Sequence, residues 1–112
     1  MNDMNSILIE GKVVSNDYLE SNGVPMASTK LAVSRWFKNA EGERVEEVSN
    51  FEVRSYGNLA ETANKYAKEG CGMRVVGRLR EEHWTYEGED FSKVVIISEH
   101  NEYKKAKKQE VK

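Results

Sequence analysis

The chain is 112 residues long, 38% apolar and 32% charged, with a net charge of −2. That length suffices for one domain with one core, and no apolar run approaches a membrane span. One cysteine, Cys71, and two well-separated histidines exclude an internal disulfide and offer no metal cluster, so neither a metal nor another cofactor is expected.

The N-terminus has no basic region followed by a long apolar stretch, so no secretory signal is expected and a reducing, cytoplasmic setting fits. Residues 5–15 read as a first strand, with Gly11 inside it marking a bulge or sharp bend. Residues 16–25 hold Asn-Asp, Ser-Asn-Gly and Pro25 and read as a connection, with Asn22-Gly23 as its turn. Met26–Phe37 is the second strand: Ala27, Thr29, Leu31 and Val33 share one face, Ser28, Lys30, Ala32 and Ser34 the other. The tip around Gly42 leads to a third strand over Val45–Tyr56, where Phe51, Val53 and Ser55 oppose Asn50, Glu52, Arg54 and Tyr56.

Asn58–Glu69 is the one clear helix, with Leu59, Ala63, Tyr66 and Ala67 on a single stripe, Asn58 as N-cap and Gly70 as terminator. Phe51 is expected in the core, and Tyr66, on the helix's apolar stripe, in the core or at an interface. A fourth strand runs from Met73 through Arg80 to Tyr86, Gly88 marks a hairpin tip, and Phe91–Ser98 returns as the fifth strand. The segment after it is lysine-rich and aperiodic. The expected division is one domain over residues 1–103 and a short tail over residues 104–112. Five short strands, internal glycines and one helix between strands three and four predict an all-β fold. Its form is a five-stranded Greek-key barrel of the OB type, plugged at the bottom by the helix.

Arg78, Arg80, Trp84 and Tyr86 fall at even spacing and therefore on one face of the fourth strand. A core needs no arginines there, and an inert solvent face rarely carries tryptophan. A surface that stacks bases and neutralises phosphates uses both, which makes single-stranded nucleic acid the first partner to consider. Arg35, Lys38, Arg54 and Arg74 are further phosphate candidates, with Arg35 and Arg80 nearest the aromatics. The last fourteen residues carry a net +2, leaving −4 on residues 1–98, so any such interface relies on local charge and on aromatics, with weak electrostatic steering. The carboxylates fall in loops and tips rather than in pairs within a cleft, no nucleophile arrangement or phosphate loop is present, and no enzyme is expected.

Several segments in order carry a resemblance. They are Met4-Asn5-Ser6-Ile7-Leu8-Ile9-Glu10-Gly11, Leu31-Ala32-Val33-Ser34, Phe37-Lys38-Asn39-Ala40-Glu41-Gly42-Glu43, Tyr56-Gly57-Asn58-Leu59-Ala60-Glu61, Tyr66-Ala67-Lys68-Glu69-Gly70 and Val75-Val76-Gly77-Arg78-Leu79-Arg80. Over residues 4–103 the chain resembles the bacterial single-stranded DNA-binding proteins. The resemblance implies an OB barrel, usually a homotetramer (a dimer is the alternative), that serves replication, recombination and repair. Its stacking aromatics fall on Phe37, favoured by the simplest alignment, or on Trp36 if the loop gap moves by one residue. The others fall on Tyr56 and Trp84.

A further family aromatic falls on Asn50, which removes one platform worth about 1–3 kcal/mol, unless a register shift brings Phe51 there. Glu52, Glu69, Glu81 and Glu82 stand where relatives often carry neutral or basic residues. The acidic tip that recruits replication and repair proteins is replaced by Lys-Lys-Gln-Glu-Val-Lys, which puts such partners in question. The runner-up reading is a dimeric OB accessory protein resembling the primosome restart factors. A third is a protein-interaction module with vestigial DNA contacts.

Overall fold

The computed structural model describes residues 2–105. Five strands and one helix follow in the order β1 (Ile7–Ser21), β2 (Val24–Lys38), β3 (Arg44–Tyr56), α1 (Asn58–Tyr66), β4 (Gly72–Tyr86) and β5 (Glu89–Lys104). The strands close into a barrel in the order β1-β2-β3-β5-β4. All pairings are antiparallel except the short parallel match of Val53 and Arg54 on β3 with Ile96 and Ile97 on β5. This is the expected five-stranded barrel, with its helix between the third and fourth strands.

β1 serves two neighbours. Ile7–Lys12 pair with β4, and Lys12–Ser21 pair with β2 across a bulge between Val13 and Ser15. Gly11 sits where this switch occurs. A Cβ there would lie 2.3 Å from the Ala32 carbonyl oxygen, so only glycine lets the strand pass this close to β2. Gly77 plays the same part on β4: a Cβ would lie 2.2 Å from the Ile97 carbonyl oxygen, next to the bulge that follows Val76. These two contacts are how the sheet bends tightly enough to close.

Inside lie Val13, Ala27, Leu31, Val53, Met73, Val75 and Ile96, with Ala60 and Ala63 of α1 and Ala67 just after it packed against them. Small residues on the helix allow it to press close to the barrel. Buried polar groups are paired: the Thr29 hydroxyl donates to Asn16 Oδ1 at 2.6 Å, and Asn101 Nδ2 donates to the Ser55 hydroxyl at 3.1 Å.

Several boundaries depart from expectation. Residues 16–21 are strand rather than connection, because Asn16–Ser21 pair residue by residue with Val24–Thr29 around the Asn22-Gly23 turn. β5 extends to Lys104, six residues past Ser98, because the opening residues of β4 need partners. Of the expected tail, only Lys104 and Lys105 are described, and the rest lies outside the described residues. The helix ends at Tyr66 rather than Glu69 and is preceded by Gly57 without a side-chain cap, so Asn58 is its first residue and not its N-cap. Gly70 belongs to the following turn, where its N–H donates to the Val13 carbonyl at 2.8 Å. Tyr66 is 51% exposed and Phe51 40% exposed, so neither is core. Phe51 shares the inward face with its partner Leu31 but stands beyond the packed interior.

Candidate nucleic-acid interface

Strand alternation decides what faces outward. On β3, Val53 and Ser55 point in, so Glu52, Arg54 and Tyr56 point out. On β4, Met73 and Val75 point in, so Arg78, Arg80, Glu82, Trp84 and Tyr86 point out. The barrel brings these two outward rows together. Arg54 Nε donates to Glu52 Oε2 at 2.7 Å, and its Nη1 donates to Glu82 Oε2. Arg80 Nη2 donates to the same Glu82 oxygen at 2.8 Å and to the Tyr56 hydroxyl at 3.1 Å. Lys93 Nζ from β5 donates to Glu52 Oε1 at 2.8 Å, and the Ser28 hydroxyl donates to Glu52 Oε2 at 3.0 Å.

Aromatic rings border this network. The Arg80 guanidinium lies 6.0 Å from the Tyr56 ring centre, and Lys93 Nζ lies 5.9 Å from that of Trp84. Trp84 stacks on Phe91, its register partner on β5, with centroids 5.8 Å apart and planes 18° from parallel. One ring face is thus covered, while Trp84 as a whole remains 44% exposed. An open groove of about 520 Å³ runs past Arg54, Arg80, Glu82, Trp84 and Lys93.

The charges are largely compensated within the chain. Three cations, Arg54, Arg80 and Lys93, share two carboxylates, leaving one net positive charge. Burial pushes the Glu52 carboxyl upward, but hydrogen bonds from Lys93, Arg54 and Ser28 outweigh it and hold the group at about 2, against an ordinary 4.5. Glu82 is likewise lowered: burial opposes the shift, and the bonds from Arg80 and Arg54 prevail. Both acids therefore stay ionised at neutral pH and occupy donors that a phosphate would otherwise take.

The remaining candidates spread out. Trp36 and Lys38 share the outward face of β2 with Ser28, but Trp36 stands eight residues along, about 26 Å by strand rise, on the β2–β3 arm. It is 54% exposed, with the Arg44 guanidinium 5.1 Å from its ring centre. Phe37 and Arg35 point to the opposite face, where Arg35 lies 5.2 Å over the Phe37 ring. The alignment that favours Phe37 as the platform aromatic is therefore at odds with strand alternation, which puts Trp36 on the face of Tyr56. Asn50 is exposed on that face too, so the missing platform is not restored by Phe51, which faces the other way. Tyr86, 64% exposed, extends the Trp84 row toward the hairpin tip, and Arg78 extends it the other way. Arg74 sits apart, six residues from Arg80, and is held by Glu10 across β1 at 2.8 Å.

The model of the single-strand binding protein family matches residues 4–104. The chain belongs to that family. A single-stranded DNA-binding protein from Aquifex aeolicus is 41% identical over 100 residues, covering 86% of this chain and 67% of its own length. One from Helicobacter pylori is 37% identical over 83 residues, covering 71% of this chain and 46% of its own length. This chain thus spans 67% of the length of the first of these relatives and 46% of the second. Among solved structures, the Plasmodium falciparum SSB complex with ssDNA superposes with a TM-score of 0.79 at 20% identity, covering 92% of this chain and 95% of that one. The Thermus aquaticus single-stranded DNA-binding protein reaches 0.77 at 24% identity, covering 91% and 50%. At these identities the structures speak for the fold.

Sequence reasoning missed Lys93, Phe91 and Arg44 as partners of the outward tryptophans, and missed that Glu52 and Glu82 hold the arginines. The second was available in part. Glu52 and Arg54, and Arg80 and Glu82, are two residues apart and so neighbours on one strand face. Their cross-strand meeting was not visible locally. Among the described residues no group of three metal-ligating side chains occurs, and no helix is long and apolar enough to cross a membrane.

Proposed function

We propose that this chain binds single-stranded DNA without sequence preference and keeps it open and protected during replication, recombination and repair. The observation that carries this reading is the convergence of Tyr56 and Trp84 with Arg54, Arg80 and Lys93 on one outward surface. Exposed ring faces stack any base, and adjacent cations meet the backbone. Trp36, Lys38, Arg78 and Tyr86 lengthen the surface along both arms. The names of the relatives point to the same ligand, whereas the primosome-type reading gains no support from them.

Assembly into a homotetramer in the cytoplasm belongs to the same reading. Ile7–Gly11 pair with β4 alone, so one edge of this half of β1 has no partner among the described residues, and Leu8 beside it is 69% exposed. Sedimentation velocity would report the oligomer.

The function is tested by tryptophan fluorescence during titration with oligo-dT, comparing the chain with Trp84→Ala. The expected result is strong quenching of the chain, with the variant binding about 1–3 kcal/mol more weakly. Absence of both quenching and binding at low salt would overturn the reading and return weight to a protein-interaction module.

A further inference from the structure

Where the end of α1, the turn that follows it and the end of β5 come together, a second cavity of about 390 Å³ opens beside Tyr66 and Tyr103. The two rings lie 6.0 Å apart and form an apolar floor, closed beneath by the buried Cys71. Lys65, Lys68, Lys104 and Lys105 line it against a single carboxylate, Glu69. In a chain of net charge −2, this is a local excess of three positive charges. Among the described residues none of these lysines makes an ion pair, and Lys65 Nζ lies 5.5 Å from the centre of the Tyr66 ring. Tyr66 is itself 51% exposed, an aromatic face with cations beside it.

This cavity is joined to the DNA surface proposed above. β4 runs between them, and its outward row carries Arg80, Arg78 and Arg74 in turn, about 7 and 13 Å apart by strand rise. Arg74 borders a smaller cavity of about 230 Å³, which shares Tyr103 and Lys104 with the larger one. A row of three arginines, of which Arg80 and Arg74 are paired with Glu82 and Glu10, thus runs from the Trp84 groove toward the end of β4 that borders the tyrosine cavity. It is weakest at Arg74, where Glu10 holds the guanidinium and Glu102 pairs in register.

We propose that the Tyr66–Tyr103 cavity is a second contact for the same DNA strand, where a base lies on Tyr66 and neighbouring phosphates meet Lys65, Lys68, Lys104 and Lys105. The inference rests on the single-stranded DNA reading. An acidic peptide with an apolar side chain matches the cavity alone. A polyanion with flat bases also accounts for the arginine row that runs toward it.

The strand must be long enough to reach both sites, which are about 40 Å apart from Trp84 to Gly72. The test therefore compares oligo-dT of about 5 nucleotides with oligo-dT of about 20, one near the lower end and one above the upper end of the roughly 4–16 nucleotides bound per OB barrel. The variants are Tyr66→Ala and the triple exchange Lys65→Gln, Lys68→Gln, Lys104→Gln, all at exposed positions. The expected result is unchanged binding of the short oligomer and at least about five-fold weaker binding of the long one, the lower end of one base stack. In the triple variant the salt slope for the long oligomer also becomes shallower, by about 0.7 per lost phosphate contact. Long-oligomer binding equal to the unmodified chain in both variants overturns the proposal. So does binding of a glutamate-rich peptide containing one phenylalanine that the variants lose while DNA binding stays intact. If neither oligomer binds the unmodified chain, the single-stranded DNA reading itself falls, and this inference with it.

Discussion

The two faces of one barrel wall follow different rules. On β3, Val53 and Ser55 turn inward to a packed interior, while Glu52, Arg54 and Tyr56, one residue away in each case, turn outward to a charged and aromatic surface. The inner face is held by apolar contact and tolerates few changes, because each methyl group is surrounded. The outer face is held by carboxylates shared between guanidinium groups, an arrangement that a competing anion can exchange. The packed interior lies on one side of the sheet and the proposed ligand surface on the other, at positions alternating along the same strands.

The sharpest way to break this separation is from inside. Leu31 is fully buried opposite Phe51 on the inward face. Leu31→Ala is expected to lower unfolding free energy by about 2–5 kcal/mol in urea titrations. DNA affinity should be little changed wherever the variant remains folded. A large loss of affinity in a folded Leu31→Ala protein would mean that the two faces are coupled.

The next comparison separates the two adjacent aromatics of the β2 arm. Trp36→Ala is expected to weaken oligo-dT binding by about 1–3 kcal/mol, and Phe37→Ala by much less, because only Trp36 shares the outward face with Tyr56. The opposite ranking would show that the twist of the long β2–β3 arm, rather than simple alternation, sets which ring meets DNA.

How much of this was legible beforehand follows the same division. Inward residues declare themselves by alternation, so Ala27, Thr29, Leu31 and Val53 were assignable from spacing, as were the order of elements and the Asn22-Gly23 turn. The run Asn16–Ser21 read as a loop because its pairing with β2 comes from the hairpin, and Tyr18 alone of its residues packs against the core. The end of β5 was hidden for a related reason: His100–Lys104 are strand only because β4 lies alongside them. On the outward face, the row Arg78, Arg80, Trp84 and Tyr86 was visible within one strand. The closure of Arg54 and Arg80 on a single Glu82 oxygen was not, since it joins residues 28 positions apart. Arg74 was grouped with the other arginines by type, yet its register partner on β1 is Glu10.

Glu82 sharpens the account of the outward face. If it occupies donors that a phosphate would use, Glu82→Gln releases Arg80 and loosens Arg54, which keeps its bond to Glu52. The expected result is tighter oligo-dT binding, by about 1 kcal/mol, and a steeper salt dependence, by about 0.7 per phosphate newly engaged. Weaker binding would mean that Glu82 is needed to hold the guanidinium groups in place.

The smallest effect belongs to Glu52, and it is read by pH. Its carboxyl is held at about 2 in the folded chain, against an ordinary 4.5, so its bonds to Lys93, Arg54 and Ser28 contribute stability that is fully present above 4.5. That contribution is lost as pH falls toward 2, because protonation removes the charge that these donors satisfy. Glu52→Gln keeps the shape and lacks the charge. The difference in unfolding free energy between the chain and this variant, about 1 kcal/mol for a partly solvated pair, is expected to stay constant above pH 4.5 and to shrink steadily below it. A difference that persists unchanged at the lowest pH would assign the effect of Glu52 to packing rather than charge. The outward network would then be less exchangeable, and so less open to an incoming phosphate, than its shared carboxylates imply.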